Sequence, residues 1–387
     1  MEPFTTRPSP RLVGGPGALA ELPACIRESG GKNVLIVTDP GIVAAGHVAR
    51  ATAMLAEAGI DFTVYDDTSE NPEESDIAAA CEFARELEVD CFVGLGGGSS
   101  MDTAKGCNFL LTNGGAMSDY KGYALARNPL LPFVAVPTTA GTGSECQSYA
   151  VISRDQSHEK MACGDPGALA MFAILDPELT ASMPHQVAVL TALDALAHSL
   201  ETAVCTRRNP LSSAFSREAF LHIASAIEPT LAGNATGQDR SEMLLGASFS
   251  GLAIENSMLG AAHASANPLT ARFGLAHGHA VALMLPHVMR YNHEEPGARD
   301  TYDHYGGLLS RRGYAEVPVT QWVEDLLGLA ALPSLADVGV DPGVFPELAE
   351  DATRQWTGQF NPRAMTAEGF VLLYQRAMDA VSAPSAI

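Results

Sequence analysis

"CFVGLGGGSSMDTAKGCNFLL", residues 91–111, runs from an apolar stretch through Gly94, Gly96, Gly97 and Gly98 into a helical pattern. Glycine lets backbone N–H groups approach a ligand with no Cβ in the way. A helix N-terminus adds partial positive charge, so a strand–turn–helix junction of this kind favours a phosphate. The turn is neither G-x-G-x-x-G nor G-x-x-x-x-G-K-[ST], so taken alone it reads equally as a tight turn. Its surroundings decide the fold. "NVLIVTD" (33–39) and "DFTVYDD" (61–67) read as strands, and "HVARATAMLAEAG" (47–59) and "ESDIAAACEFARELEVD" (74–90) as helices. "PFVAVPTTAGTGSE" (132–145) is a further strand followed by a loop. Such alternation predicts a parallel sheet covered by helices, a Rossmann-like α/β domain.

The loop after that strand carries Thr138, Thr139 and Thr142 beside Gly141 and Gly143. Two polar loops at strand C-terminal ends point to one ligand, because open α/β sheets bind there. Asp39 ends the first strand. A carboxylate at that place accepts hydrogen bonds from an adenosine ribose and repels a 2′-phosphate, which favours NAD(H) over NADP(H). The alternative is an Asp-Pro turn.

Beyond about residue 180 the pattern changes. Residues 183–205, 212–233, 240–266, 278–292, 319–331 and 367–383 read as long helices, with no strand pattern among them. The boundary divides an α/β domain (1–180) from an all-helical domain (181–387). In "TALDALAHSLE", Asp194 and His198 are four apart, on one helical face. With His263 and His277 from "MLGAAHASANPLTARFGLAHGHA" (258–280), one carboxylate and three imidazoles can close on one divalent ion. Oxygen and nitrogen donors suit Fe²⁺, Zn²⁺, Co²⁺ or Mn²⁺. Such an ion acts as a Lewis acid on an alcohol or carbonyl oxygen while a nicotinamide carries the hydride.

The composition agrees. A net charge of −22 repels nucleic-acid phosphates and anionic lipid heads, so neither a nucleic-acid nor a membrane partner is expected. Seven scattered cysteines without C-x-x-C pairing argue against a disulfide framework and a cysteine zinc site. No secretory h-region and no run of about eighteen apolar residues appears. The expectation is a reduced, soluble, cytoplasmic protein.

The motifs "GGGSSMDTAK", "PTTAGTGSE", "ILDPELT", "DALAHSLE" and "HGHAVALMLPHVMRYN" together resemble the iron-containing (group III, metal-dependent) alcohol dehydrogenases. The resemblance runs from about residue 10 to the C-terminus, in the family's order and spacings. It implies a dinucleotide-binding domain, a helical domain and a cleft between them, in the fold shared with dehydroquinate synthase. It places the metal ligands on Asp194, His198, His263 and His277, with Fe²⁺ expected and Zn²⁺ the alternative. It places cofactor contacts on Asp39, Gly96, Gly97, Gly98, Ser99, Asp102, Thr138, Thr139 and Thr142, and on Asn71, Lys160 and Leu179. A small primary alcohol or aldehyde is the implied substrate, and a homodimer the expected assembly.

One position departs from the family. Members commonly carry a second histidine four residues after the position of His263; here Asn267 stands there, followed by Pro268. Asparagine cannot take up a proton near pH 7. Asn267 therefore reads as a substrate or nicotinamide contact. His279 is a candidate relay, although two residues along a helix turn it about 200° from His277. The altered segment brings functionalised aldehydes into view, namely lactaldehyde, succinic semialdehyde and phosphonoacetaldehyde. An anionic one would need Lys160 or Arg272 as its anchor. His287 and His293 read as structural. The rival readings are a maleylacetate reductase-like, glycerol-1-phosphate dehydrogenase-like or dehydroquinate synthase-like enzyme of the same fold, and a ligand-binding protein without catalysis.

Overall fold

The computed structural model describes residues 3–379 except residue 315. They fall into two compact units, Arg7–Pro184 and the described residues from His185 onward, the latter joined by residues 3–6. The sequence reading put the division four residues earlier. Pro184 lies directly before the first long helix, where a helix start is favoured.

The first unit is built on β1 (Arg11–Gly14), β2 (Asn33–Val37), β3 (Asp61–Tyr65), β4 (Cys91–Gly96), β6 (Phe133–Pro137) and β9 (Phe172–Leu175), all parallel. Their order is β1-β9-β6-β4-β2-β3. Counted from β2 this is the flavodoxin-like order of doubly wound sheets, whose switch point lies between the first and third strands, here β2 and β4. The central strands are buried on both faces, and alternate residues feed two cores. Leu35, Val37, Phe92, Phe133 and Ala135 pack on one side. Val34, Ile36, Val93, Val134 and Val136 pack on the other. Fully burying each such aliphatic side chain contributes roughly 1.5–3 kcal/mol. The covering helices are α1 (Leu22–Glu28), α2 (Pro40–Ala44), α3 (His47–Glu57), α4 (Glu74–Ala84) and α5 (Gly98–Asn113). A second sheet, β5-β8-β7, comprises β5 (Gly122–Tyr123), β7 (Tyr149–Ser153) and β8 (Lys160–Gly164). The sequence has no expected counterpart for it, nor for β1 or β9.

The second unit is helical: α6 (His185–Val204), α7 (Pro210–Leu231), α8 (Gly237–Glu255), α9 (Ala261–Phe273), α10 (His277–Asn292), α11 (Pro296–Arg311), α12 (Val319–Ala330), α13 (Phe345–Thr353) and α14 (Ala367–Asp379). One expectation is corrected. The helix expected over 240–266 is broken after Glu255, and α9 starts afresh behind Gly260. Two helices, α11 and α13, were not foreseen. The last four residues of the helix expected over 367–383 lie outside the described residues. Among the described residues, α6 alone is long and apolar enough to cross a membrane, but 78% of its apolar window is buried within the protein. It is a core helix, with every residue from Ala192 to Val204 buried.

All seven cysteines are free and buried. That fits the expectation of no disulfide framework.

Candidate metal centre and dinucleotide turn

The apolar character of α6 makes its few polar side chains conspicuous. Asp194 and His198 share one face, with His198 Nε2 3.6 Å from Asp194 Oδ1. His263 is the third residue of α9, and its Nε2 stands 3.3 Å from the same Oδ1. Its ring stacks on that of His198 with centroids 4.7 Å apart. His277 opens α10, and its ring lies 5.3 Å from that of His263. Gly278 lets α10 begin so close to α6: a Cβ there would stand 2.3 Å from the Leu190 carbonyl oxygen. Ligand atoms of Asp194, His263 and His277 lie within 4.8 Å of one another, with His198 beside them.

Burial alone would push the Asp194 carboxyl up. His198, His263 and His277 overcome it and hold that carboxyl well below its usual range. Burial likewise opposes a charged His263, but the carboxylates of Glu201 and Asp194 raise it to about 9. Asp194 Oδ1 and His263 Nε2 are both buried and face each other without a hydrogen bond. Leaving such groups unmatched in an interior is costly. A divalent cation drawn to one carboxylate and three imidazoles removes that cost, so the residues fit the metal.

Glu201, which the sequence reading passed over, completes the arrangement. It lies one further turn along the same face of α6. Its Oε1 accepts the Ala262 N–H at 2.7 Å, and its Oε2 accepts from His263 Nδ1 at 2.5 Å. The spacing of Asp194, His198 and Glu201 was a signal in the sequence, since four and then three residues keep all three on one stripe.

In the first unit, β4 ends in the glycine turn and α5 starts at Gly98 behind Gly97, with no side-chain cap on its N-terminus. Gly97, Gly98 and Ser99 are half-exposed, so these amides are open to an anion. The turn meets the threonine loop. The Thr138 N–H donates to the Gly96 carbonyl at 2.9 Å. A Cβ on Gly98 would sit 2.8 Å from Thr142 Cγ2, and one on Gly97 3.3 Å from Thr139 Cγ2. Thr138 Oγ1 is buried without a hydrogen-bond partner. Asn71 holds a left-handed backbone (φ 51°), and its N–H donates to Ser99 Oγ at 3.2 Å. Asp39 caps α2 through the Ile42 N–H and accepts from Ser100 Oγ at 3.2 Å, which sets it beside the turn. The glycine turn, the threonine loop, Asn71 and Asp39 are thus gathered at the start of α5.

Other expected residues stand elsewhere. Asp102 is directed at the loop: Ser144 Oγ donates to it at 2.8 Å and the Val151 N–H at 3.2 Å. Beside it the fully buried Lys105 donates to the Ser144, Gln147 and Tyr149 carbonyls at 2.7–2.9 Å. Burial raises the Asp102 carboxyl, and the Lys105 ammonium opposes that. Lys160 begins β8 and acts on Asp102 through its charge. Leu179 is closed off in the core with Leu95 and Val136, which corrects its assignment as a cofactor contact. His279 Nε2 is bound to the Pro333 carbonyl at 2.7 Å and stays outside the metal group, as the helical rotation demands. Asn267 Nδ2 donates to Gln355 Oε1 at 2.9 Å. Arg272 is paired with Glu347 and Asp351.

Residues 9–177 match the family described as "Iron-containing alcohol dehydrogenase", and residues 188–378 match "Fe-containing alcohol dehydrogenase family, C-terminal". Alcohol dehydrogenase 4 of Schizosaccharomyces pombe is 33% identical over 368 residues, 94% of this chain and 86% of its own. The 1,3-propanediol dehydrogenase of Citrobacter freundii is 32% identical over 371 residues, 94% of this chain and 96% of its own. A crystal structure of a 1,3-propanediol oxidoreductase superposes with a TM-score of 0.91 at 29% identity, covering 97% of this chain and 100% of that one. This chain is a metal-dependent, NAD(H)-linked alcohol dehydrogenase and belongs to the iron-containing alcohol dehydrogenase family.

Proposed function

We propose that the chain interconverts a small uncharged primary alcohol and its aldehyde, with Asp194, His198, His263 and His277 holding the Fe²⁺. The observation that carries this reading is the pair of buried, facing atoms, Asp194 Oδ1 and His263 Nε2, which lack hydrogen-bond partners of their own. A cation bound there supplies Lewis acidity toward a substrate oxygen. Asp194 brings the one formal negative charge of the ligand set, and the three imidazoles add neutral donors. Gly96, Gly97, Gly98 and Ser99 present backbone amides to a pyrophosphate, while the Thr138 hydroxyl and the Asn71 backbone flank it. Asp39 disfavours a 2′-phosphate and so supports NAD(H).

Asn267 and Gln355 hold each other, and neither amide exchanges a proton near pH 7. Neither side chain can therefore relay the alcohol proton as a histidine would. The engagement of Arg272 supports an uncharged substrate, as do the propanediol enzymes among the relatives. We further propose a homodimer and, from the buried free thiols, a reducing cytoplasmic setting. Anaerobic NADH oxidation over a panel of small aldehydes, phosphonoacetaldehyde included, tests the reading on chelated protein and on protein restored with Fe²⁺ or Zn²⁺. Turnover that returns with metal and favours the uncharged aldehydes supports it. Full activity in chelated protein overturns it, and preference for phosphonoacetaldehyde overturns the substrate class.

A further inference from the structure

We propose that Glu201 is the positioning residue of the metal centre: it fixes the ring and tautomer of His263 so that Nε2 presents its lone pair to the cation. The inference rests on the reading that Asp194, His198, His263 and His277 hold that cation. An ionised carboxylate can only accept hydrogen bonds, so the contact from His263 Nδ1 places the ring hydrogen on Nδ1. The other ring nitrogen is then the donor atom, and it is the one that faces Asp194 Oδ1 at 3.3 Å. Outer carboxylates of this kind orient metal-binding imidazoles and raise their basicity.

Helix capping alone does not account for the placement, since only one of the two oxygens lies on the α9 backbone. Asn361 Oδ1 already accepts the Ala261 N–H at the start of α9. Glu201 is only 4% exposed, and a buried carboxylate needs its charge matched. It divides its oxygens between the α9 backbone at Ala262 and the imidazole one residue on. Because Glu201 sits on the helix that carries Asp194 and His198, one rigid element holds two ligands and aims the third. The spacing between Asp194 and His263 is then set by a charge-assisted clamp rather than by helix packing alone.

The test is Glu201→Gln, which keeps the shape but cannot accept from both the Ala262 N–H and His263 Nδ1–H. Asn361→Ala is the control, since it removes a cap of α9 without touching His263. Co²⁺ and Zn²⁺ affinities are measured by chelator competition on each purified full-length protein, with circular dichroism of the apoprotein and the visible Co²⁺ spectrum alongside. Glu201→Gln should stay folded, lose about 10- to 100-fold in affinity and change the Co²⁺ spectrum. Asn361→Ala should bind within about twofold of the parent. A folded Glu201→Gln that binds as the parent does overturns the proposal, as does an equal loss in both variants. A parent that binds neither ion overturns the metal reading itself, and this inference with it. Should Glu201→Gln not fold, the ¹⁵N-histidine spectrum of the Zn²⁺-loaded parent decides. A protonated Nδ1 on His263 supports the clamp, and Nδ1 as the metal donor overturns it.

Discussion

The glycine turn of the first unit and the metal centre of the second are made from different parts of the chain's chemistry. The turn works through backbone: amides at the start of α5, the Gly96 carbonyl, the Asn71 backbone, with side chains kept small so that loops can touch. The metal centre works through side chains on three helices whose backbones are spent on their own hydrogen bonds. A backbone site tolerates many substitutions and fails where a Cβ fills the turn. A side-chain site fails at the first lost donor. The comparison teaches that the two sites can be damaged separately, each with its own readout.

The largest effect is expected at the side-chain site. His263→Ala should lose metal and turnover together, by roughly a thousandfold or more, since several kcal/mol of transition-state stabilisation go with the ion. Fluorescence titration should show NADH binding largely kept; equal loss of NADH binding would break the comparison. Next is the buried support beneath the threonine loop. Lys105→Met leaves Asp102 uncompensated and three carbonyls unmatched, and should cost about 3–5 kcal/mol in urea unfolding. Gly98→Val drives a side chain into Thr142 and should weaken NADH binding roughly 100-fold while metal content by atomic absorption is unchanged.

Smaller effects sharpen the contrast within the helical unit. Burial, aided by Arg290 and Arg376, lowers His287 on α10 to about 4. The unfolded chain takes up that proton first as pH falls, so this stability is present above about 6.5 and is lost toward 4. By pH 5 the parent should have lost about 2 kcal/mol to this group, and His287→Phe should show a correspondingly flatter dependence of urea midpoint on pH. Arg272→Ala should change least, by less than about 1 kcal/mol, because its ion pairs are exposed; aldehyde KM values should hold steady.

The same contrast explains what the sequence disclosed. The β4–α5 junction was legible because strand, turn and helix are contiguous and each has a local signature. Asp194 and His198 were legible because helical spacing alone puts them together. His263 and His277 were legible only as histidines on a short apolar stretch, since nothing local says that α9 and α10 start beside α6. Glu201 looked like one more helix-forming glutamate until the α9 N-terminus was placed against it. The β7–β8 hairpin escaped because its short strands flank the polar loop "RDQSHE", which reads as coil. The break at Gly260 escaped because small and apolar residues continue on both sides, while a Cβ at Gly260 would stand 3.0 Å from both Glu201 Oε1 and Asn361 Oδ1.

The buried cysteines have a use beyond packing. Only a thiolate attacks an alkylating reagent, and burial pushes both Cys91 and Cys163 up to about 12. Modification of these thiols must then wait for the surrounding structure to open. Six of the seven lie in Arg7–Pro184, and Cys205 lies in the helical unit. A mass spectrum taken during slow alkylation therefore doubles as a clock with two hands: a single adduct on Cys205 marks opening around α6, and a jump of several adducts marks loss of the nucleotide-binding sheet. Recording it with NADH alone, and then with metal alone, would time each unit against its own ligand without any change to the sequence.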